Sequence, residues 1–166
     1  MSPIAQDLSR LAPPTPLNAL KWYFVPRGEC FRFNVWLRVL QWLRRRCNSW
    51  ACFVFWPLSF LAYLVYRHYE FKYGIHANAN IEIGGGLRVV HGPCNLNAGK
   101  IGKNFTVYSG VTIGRHKGAL PTIGDDVRIY PNAVVVGGIE IADRAVIGAL
   151  TYVDKPVPAD GRVIGR

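Results

Sequence analysis

The chain is short of acid: ten Asp and Glu face twenty Lys and Arg in 166 residues, a formal net charge of +10. Such a balance suggests nucleic acid, but the charge sits in the wrong place for it. Residues 1–73 hold ten Lys/Arg and three Asp/Glu, whereas residues 74–166 hold ten and seven. The excess falls on an aromatic-rich front whose aromatics follow helical spacing rather than lining a polar face, so nucleic acid is set aside as a partner. Cysteine is sparse: Cys30, Cys47, Cys52 and Cys94 make no C-x-x-C pair and no zinc-ligand spacing. That pattern fits a reducing, cytoplasmic compartment. The four histidines give no third partner at metal-site spacing for His91 and His116, so no metal is expected. Gly84, Gly85 and Gly86 do not complete a dinucleotide fingerprint, and no phosphate-binding loop is present. No charged segment leading into an apolar one opens the chain as a secretory signal would. Residues 50–66 run uncharged for seventeen positions, just short of a membrane span, and Pro57 interrupts them.

What is there divides near residue 73. Residues 1–19 contain four prolines and are expected to form a loosely held arm. From residue 31 to 46 the spacing is helical: Phe33, Trp36, Leu37, Leu40 and Leu43 share one face, with Arg38, Gln41, Arg44 and Arg45 mostly opposite. Basic residues flank the uncharged run, Arg44 to Arg46 before it and Arg67, His68 and Lys72 after it. Two readings stay open for residues 1–73. They form packed helices covering the end of the next domain, or residues 31–72 lie as a basic, aromatic unit peripherally on an anionic membrane face.

Residues 74–166 repeat every six residues. Ala77, Ile83, Val89, Asn95, Ile101, Val107 and Ile113 fall on the period, which resumes four residues late with Ile123, Ile129, Val135, Ile141, Ile147 and Val153. Eleven of these thirteen are Ile or Val, which neither a helix nor an alternating strand produces. The pattern predicts a mainly β fold, a parallel β-helix whose triangular coils each carry three inward aliphatics, with glycine beside them easing the corners. The spacing leaves its hand open. The four extra residues place a protruding loop at 115–122, and loops on rigid scaffolds are common sites of function.

Within the repeat, His91 stands in GLRVVHGP with no acidic neighbour. An imidazole changes charge near neutrality, which suits removal of a hydroxyl proton. Gly114, at the loop's start, is a candidate backbone donor to an oxyanion. Arg115 and Lys117 in the loop, with Lys155, Arg162 or Arg166 near the end, are candidate phosphate partners. His116 and Tyr108 are candidate acceptor contacts. Tyr108 and Tyr130 either point outward to line a site or pack between subunits, while Asp125 and Asp126 read as a solvated turn.

The repeat resembles the hexapeptide-repeat acyltransferases, in particular their serine acetyltransferase branch. GIHANANIEIGGGLRVVHG, VTIG at 111–114 and IGALTYV at 147–153 carry the likeness. The front resembles the helical leader of bacterial surface-polysaccharide O-acetyltransferases such as the colanic acid acetyltransferase. The resemblance implies a left-handed parallel β-helix, a homotrimer with sites between subunits, acetyl-CoA as co-substrate, and His91 as general base. It implies CoA contacts at Gly114, Arg115, Lys117, Pro131, Ala133, Gly148, Ala149 and Lys155. Pro131 departs from the family's compact Ala, whereas Ala149 keeps it. Three further departures bear on the acceptor. Gly74 replaces the aspartate that orients the base, Val90 the aspartate that grips serine, and Leu120 a second histidine. The expected acceptor is therefore a sugar hydroxyl, in a glycan or lipid-linked sugar of surface-polysaccharide biosynthesis. Serine O-acetylation and a non-catalytic trimeric scaffold are the alternatives.

Overall fold

The computed structural model describes residues 1–24, 29–46 and 52–165, and the side chains of residues 29 and 52–54 are left out of account. Four helices come first: α1 (Pro3–Ser9), α2 (Pro16–Phe24), α3 (Glu29–Arg46) and α4 (Cys52–Tyr73). Fourteen short strands follow as a parallel solenoid of about five turns, coiled as the left-handed β-helix. The first face stacks β1 (Ile75–Ala77), β4 (Cys94–Leu96), β7 (Thr112–Gly114), β10 (Val134–Val136) and β13 (Tyr152–Val153). The second stacks β2 (Glu82–Ile83), β5 (Lys100–Ile101), β8 (Thr122–Ile123) and β11 (Glu140–Ile141). The third stacks β3 (Arg88–Val89), β6 (Thr106–Val107), β9 (Arg128–Ile129), β12 (Val146–Ile147) and β14 (Arg162–Val163).

Each coil sends one aliphatic inward per face, so the axis is filled by ladders such as Ile101–Ile123–Ile141 and Val107–Ile129–Ile147, all essentially inaccessible. Neighbouring coils satisfy one another's amides, and burying these ladders drives the fold. One expected inward position is corrected. Asn95 is exposed, and Leu96 takes its place beside Ala77 and Ile113. The corner after Val89 holds one residue more than its neighbours and the corner after Leu96 one fewer. The two deviations cancel, so the six-residue count passes over them.

The glycines beside the inward residues also act differently from the expectation. A Cβ on Gly84 would lie 2.6 Å from the carbonyl carbon of Gly102, and one on Gly102 2.5 Å from that of Gly124. Close stacking of backbones, rather than corner freedom, requires them. The left-handed corner positions are held mostly by other residues, including Asn104, Asp126, Arg144 and Leu150. Asp125 is more than a solvated turn residue: its Oδ1 accepts the Lys103 amide at 2.7 Å, tying one coil to the previous one.

The open end of the solenoid is closed by side chains. No earlier coil exists to pair with the first, and an uncovered end would present unpaired backbone groups. Asp7 Oδ1 accepts the amides of Gly86 and Leu87 at 2.7 and 2.8 Å. Arg38 donates to the carbonyls of Ile83 and Gly84 at 2.7 and 2.5 Å, Gln41 to that of Ile81 at 2.9 Å, and Asn34 to that of Leu87 at 2.9 Å. The Tyr66 hydroxyl reaches the Ala77 carbonyl. Arg38 and Asp7 also form a two-point ion pair, at 3.0 and 3.2 Å, and are 5% and 1% exposed. Burial pushes the Asp7 carboxyl above its ordinary pKa, while Arg38 and the two amides pull against it.

Two expectations are thereby corrected. The proline-rich start is no loose arm, because Asp7 anchors α1 under the solenoid. Arg38 and Gln41, expected mostly opposite the apolar face, are buried with it, because the surface they meet carries backbone carbonyls. Phe33, Leu37, Leu40 and Leu43 are buried as the spacing predicts. No helix among the described residues is long and apolar enough to cross a membrane. The start of the uncharged run at Trp50, and Cys47, lie outside the described residues.

Candidate functional site

The chain leaves α4 at Gly74, whose φ of +65° turns it into β1. Seventeen residues on, His91 occupies the corner between the third and first faces, two residues past the end of β3. Its side chain is exposed, and no hydrogen bond reaches its ring among the described residues. Gly74 lies beside this corner, its carbonyl accepting the Cys94 amide at 3.0 Å. A Cβ at position 74 would stand 2.9 Å from the Cβ of Pro93 on a backbone that disfavours side chains. The extra residue of this corner thus closes the place an orienting aspartate would need.

His91 borders a cavity of about 220 Å³ between the helices and the first coil. Leu11, Trp22, Phe31, Leu87, Val89 and Val90 give it apolar walls, and Asn34, Arg88, Cys30 and His91 its polar groups. A larger polar cleft, about 410 Å³, lies around Glu70, Arg67 and His76 and includes none of the other candidate residues. There His76 Nδ1 stands 3.4 Å from Glu70 Oε1, and Arg67 pairs with Glu70 at 2.5 Å.

The remaining candidates divide between two edges of the first face. Down the edge that carries His91, the next coils place Tyr108 over Tyr130, their rings stacked at 5.1 Å and 7°. Pro131, Gly148 and Ala149 continue the same edge, half-buried or exposed and bare of long side chains. Ala133 is misplaced by the expectation: it is wholly buried in the axis and offers no surface.

The opposite edge, between the first and second faces, carries Gly114, Arg115, His116, Lys117 and, two coils on, Lys155. The last four are exposed. A Cβ on Gly114 would meet nothing within 4 Å, so its backbone is open to approach. The loop protrudes less than its length suggests. His116 and Ala119 exchange backbone hydrogen bonds, both 3.1 Å, around Lys117 and Gly118 at φ of +50° and +84°. This is a two-residue hairpin turn. It rests on Gly137 and Gly138, where a Cβ would come 3.7 Å from that of His116 and 2.8 Å from that of Ala119. Arg162 is exposed on β14 of the third face, and Arg166 lies outside the described residues. Among the described residues, no cluster of His, Cys, Asp or Glu could hold a metal ion.

Asn34, Asp7 and Arg88 were not singled out by sequence reasoning. A signal for Asn34 did exist: Asn34, Arg38 and Gln41 form a polar stripe along α3 beside its apolar one, the mark of a helix laid against backbone groups.

Stacked triangular coils on a six-residue period, with one inserted loop, make a hexapeptide-repeat β-helix. Residues 121–155 match the model of the bacterial transferase hexapeptide (six repeats). The chain's similar proteins are serine acetyltransferases. A serine acetyltransferase of Staphylococcus xylosus is 36% identical over 111 residues, 63% of this chain and 51% of that protein. The fold matches the serine acetyltransferase of Neisseria gonorrhoeae in complex with serine (TM-score 0.69, 24% identity, 98% of this chain and 65% of that one). It also matches a serine acetyltransferase in complex with CoA (TM-score 0.72, 20% identity, 98% and 65%). The chain is similar to the serine acetyltransferase branch of the hexapeptide acyltransferases, and spans about half the length of the curated relatives it matches. These comparisons overturn the expected sugar acceptor and its place in polysaccharide biosynthesis. That expectation took the missing aspartates at positions 74 and 90 for a missing amino-acid site.

Proposed function

We propose that the chain is an acetyl-CoA-dependent serine O-acetyltransferase with His91 as its general base. The observation that carries this is the exposed, unbonded imidazole of His91 at the mouth of a small cavity, in a chain whose relatives are serine acetyltransferases. The serine hydroxyl gives its proton to His91 while its oxygen bonds the acyl carbon of the thioester. The carbon–sulfur bond then breaks, and the departing thiolate takes the proton back from the imidazolium. The open backbone at Gly114 suits a developing oxyanion. Pro131, Gly148 and Ala149 leave a slot for the pantetheine arm, and Arg115, Lys117 and Lys155 supply cations for its phosphates.

The two edges argue for a homotrimer. Within one chain they are separated by the width of the first face, strands of two or three residues at about 3.3 Å each plus the corners. A second copy presenting its loop edge to the His91 edge of the first brings His116, Arg115 and Lys117 to the imidazole. Repeating that contact closes a ring of three. A cytoplasmic setting accords with the supply of acetyl-CoA. Peripheral contact of residues 31–72 with an anionic membrane is a separate reading, supported by Trp56, Phe60 and Leu64, exposed one turn apart on α4. Sedimentation with anionic vesicles tests it, and recovery of the whole chain in the supernatant removes it.

The function is tested by thiol release from acetyl-CoA with L-serine, with O-acetylserine identified by mass spectrometry. Turnover with serine supports the reading. Its absence from a folded trimer overturns it in favour of a non-catalytic scaffold.

A further inference from the structure

One residue lining the cavity beside His91 carries a buried polar atom that the fold leaves unsatisfied. Asn34 is 4% exposed and lines the cavity. Its Nδ2 donates to the Leu87 carbonyl at 2.9 Å, which fixes which end of the amide is which. The other end, Oδ1, is buried and accepts nothing among the described residues. A buried carbonyl without a donor costs stability, and such groups are rare in folded proteins. A second group at the same cavity is also uncommitted. Arg88, on β3, is exposed, and no carboxylate pairs with it among the described residues. Asn34, Arg88 and His91 therefore line one space of about 220 Å³, smaller than the roughly 300–1,000 Å³ of pockets for drug-sized ligands.

We propose that this cavity is the acceptor pocket and reads a small α-amino acid at three points: Asn34 Oδ1 takes the ammonium, Arg88 the carboxylate, and His91 the side-chain hydroxyl. The assignment rests on the serine reading and deepens it. Position 74 is closed to a carboxylate by Pro93, and position 90 is valine. The ammonium contact passes instead to a neutral amide on α3, in walls apolar enough to strengthen a single hydrogen bond. The carboxylate contact comes from the strand that leads to the base. The helical cap, in this arrangement, closes the solenoid and selects the acceptor with the same helix face.

The test compares acceptors in the intact protein with acetyl-CoA: L-serine, 3-hydroxypropionate, which lacks the ammonium, and ethanolamine, which lacks the carboxylate. One charge-assisted contact is worth about a 10- to 100-fold preference in kcat/KM, so the wild type should favour serine over each analogue by that factor. Asn34→Leu should bring the preference over 3-hydroxypropionate to within about threefold of unity and leave that over ethanolamine in place. Arg88→Gln should do the reverse, with the KM for acetyl-CoA unchanged in both. A merely structural role for Asn34 would lower all three acceptors together. Serine turnover with both preferences intact in the folded variants overturns the pocket assignment alone. No serine turnover by the wild type overturns the functional reading beneath it. Arg88 is exposed, so its variant keeps the test decisive should Asn34→Leu fail to fold.

Discussion

The first coil and the later ones obey the same repeat and differ in everything around it. From Val107 onward the third-to-first corners hold identical spacing, and neighbouring coils supply each other's hydrogen bonds. The first coil has one residue too many at His91–Pro93 and one too few after Leu96, and helices cover its open side. Regular coils are interchangeable packing units. The irregular one carries the exposed imidazole, the cavity and the unsatisfied amide. The solenoid is thus uniform where its coils stack on one another, and the candidate site lies where the repeat is broken.

Substitution at His91 separates the two roles most sharply. His91→Ala should lower serine acetylation about 10²- to 10⁴-fold, the usual contribution of a general base. The unfolding midpoint should barely move, because the side chain is exposed and unbonded. Steady-state thiol release and a urea titration of the same preparation check both halves. Undiminished turnover would place the base elsewhere.

Arg38→Leu tests the cap. It leaves Asp7 buried without its partner and two first-coil carbonyls without a donor. Breaking a buried pair on one side costs about 3–5 kcal/mol. Equilibrium denaturation should show that loss, with hydrogen exchange rising first at Ile83, Gly84 and Leu87. A loss confined to α1 would mean that the helices ride on the solenoid without closing it. Ile129→Ala, in the middle of a regular ladder, should cost about 2–5 kcal/mol through the cavity it leaves. Exchange should then rise across all coils together, since the damage lies within the cooperative stack.

How much of this the sequence disclosed depends on what each residue touches. Val107, Ile129 and Ile147 stack on the inward aliphatics of neighbouring coils, so spacing alone revealed the coil and its inward face. Asn95 and Leu96 were misread because two opposite deviations of one residue cancel in the count. Arg38 and Gln41 were set opposite the apolar face because a pattern of side chains does not reveal that the facing surface offers backbone carbonyls. Of the candidate residues, His91 and Tyr108 lie on one edge and Arg115, His116 and Lys117 on the other, a division that needs the strand register to be seen. Ala133 was placed at a surface because the repeat's small residues look alike whether they face in or out. The acceptor was misjudged because absent aspartates are visible in a sequence, whereas what the similar proteins act on is not.

The smallest expected effect concerns a regular corner and has the opposite sign. Leu150 is 77% exposed and holds φ of +58°, a conformation that costs an L-residue with a Cβ about 1–2 kcal/mol. Leu150→Gly removes that strain but adds freedom to the unfolded chain, an opposing term of up to about 1 kcal/mol. The net expectation is stabilisation of about 0.5–1 kcal/mol, read as a higher urea midpoint with an unchanged slope. In the first coil, Gly74 shares the positive φ but is packed against Pro93, so Gly74→Ala must destabilise. Opposite signs at these two positions would tie the strain of a regular corner to conformation alone, and that of the irregular corner to contact as well. A destabilised Leu150→Gly would show instead that the leucine side chain is held by a surface outside its own chain, as an assembled neighbour would provide.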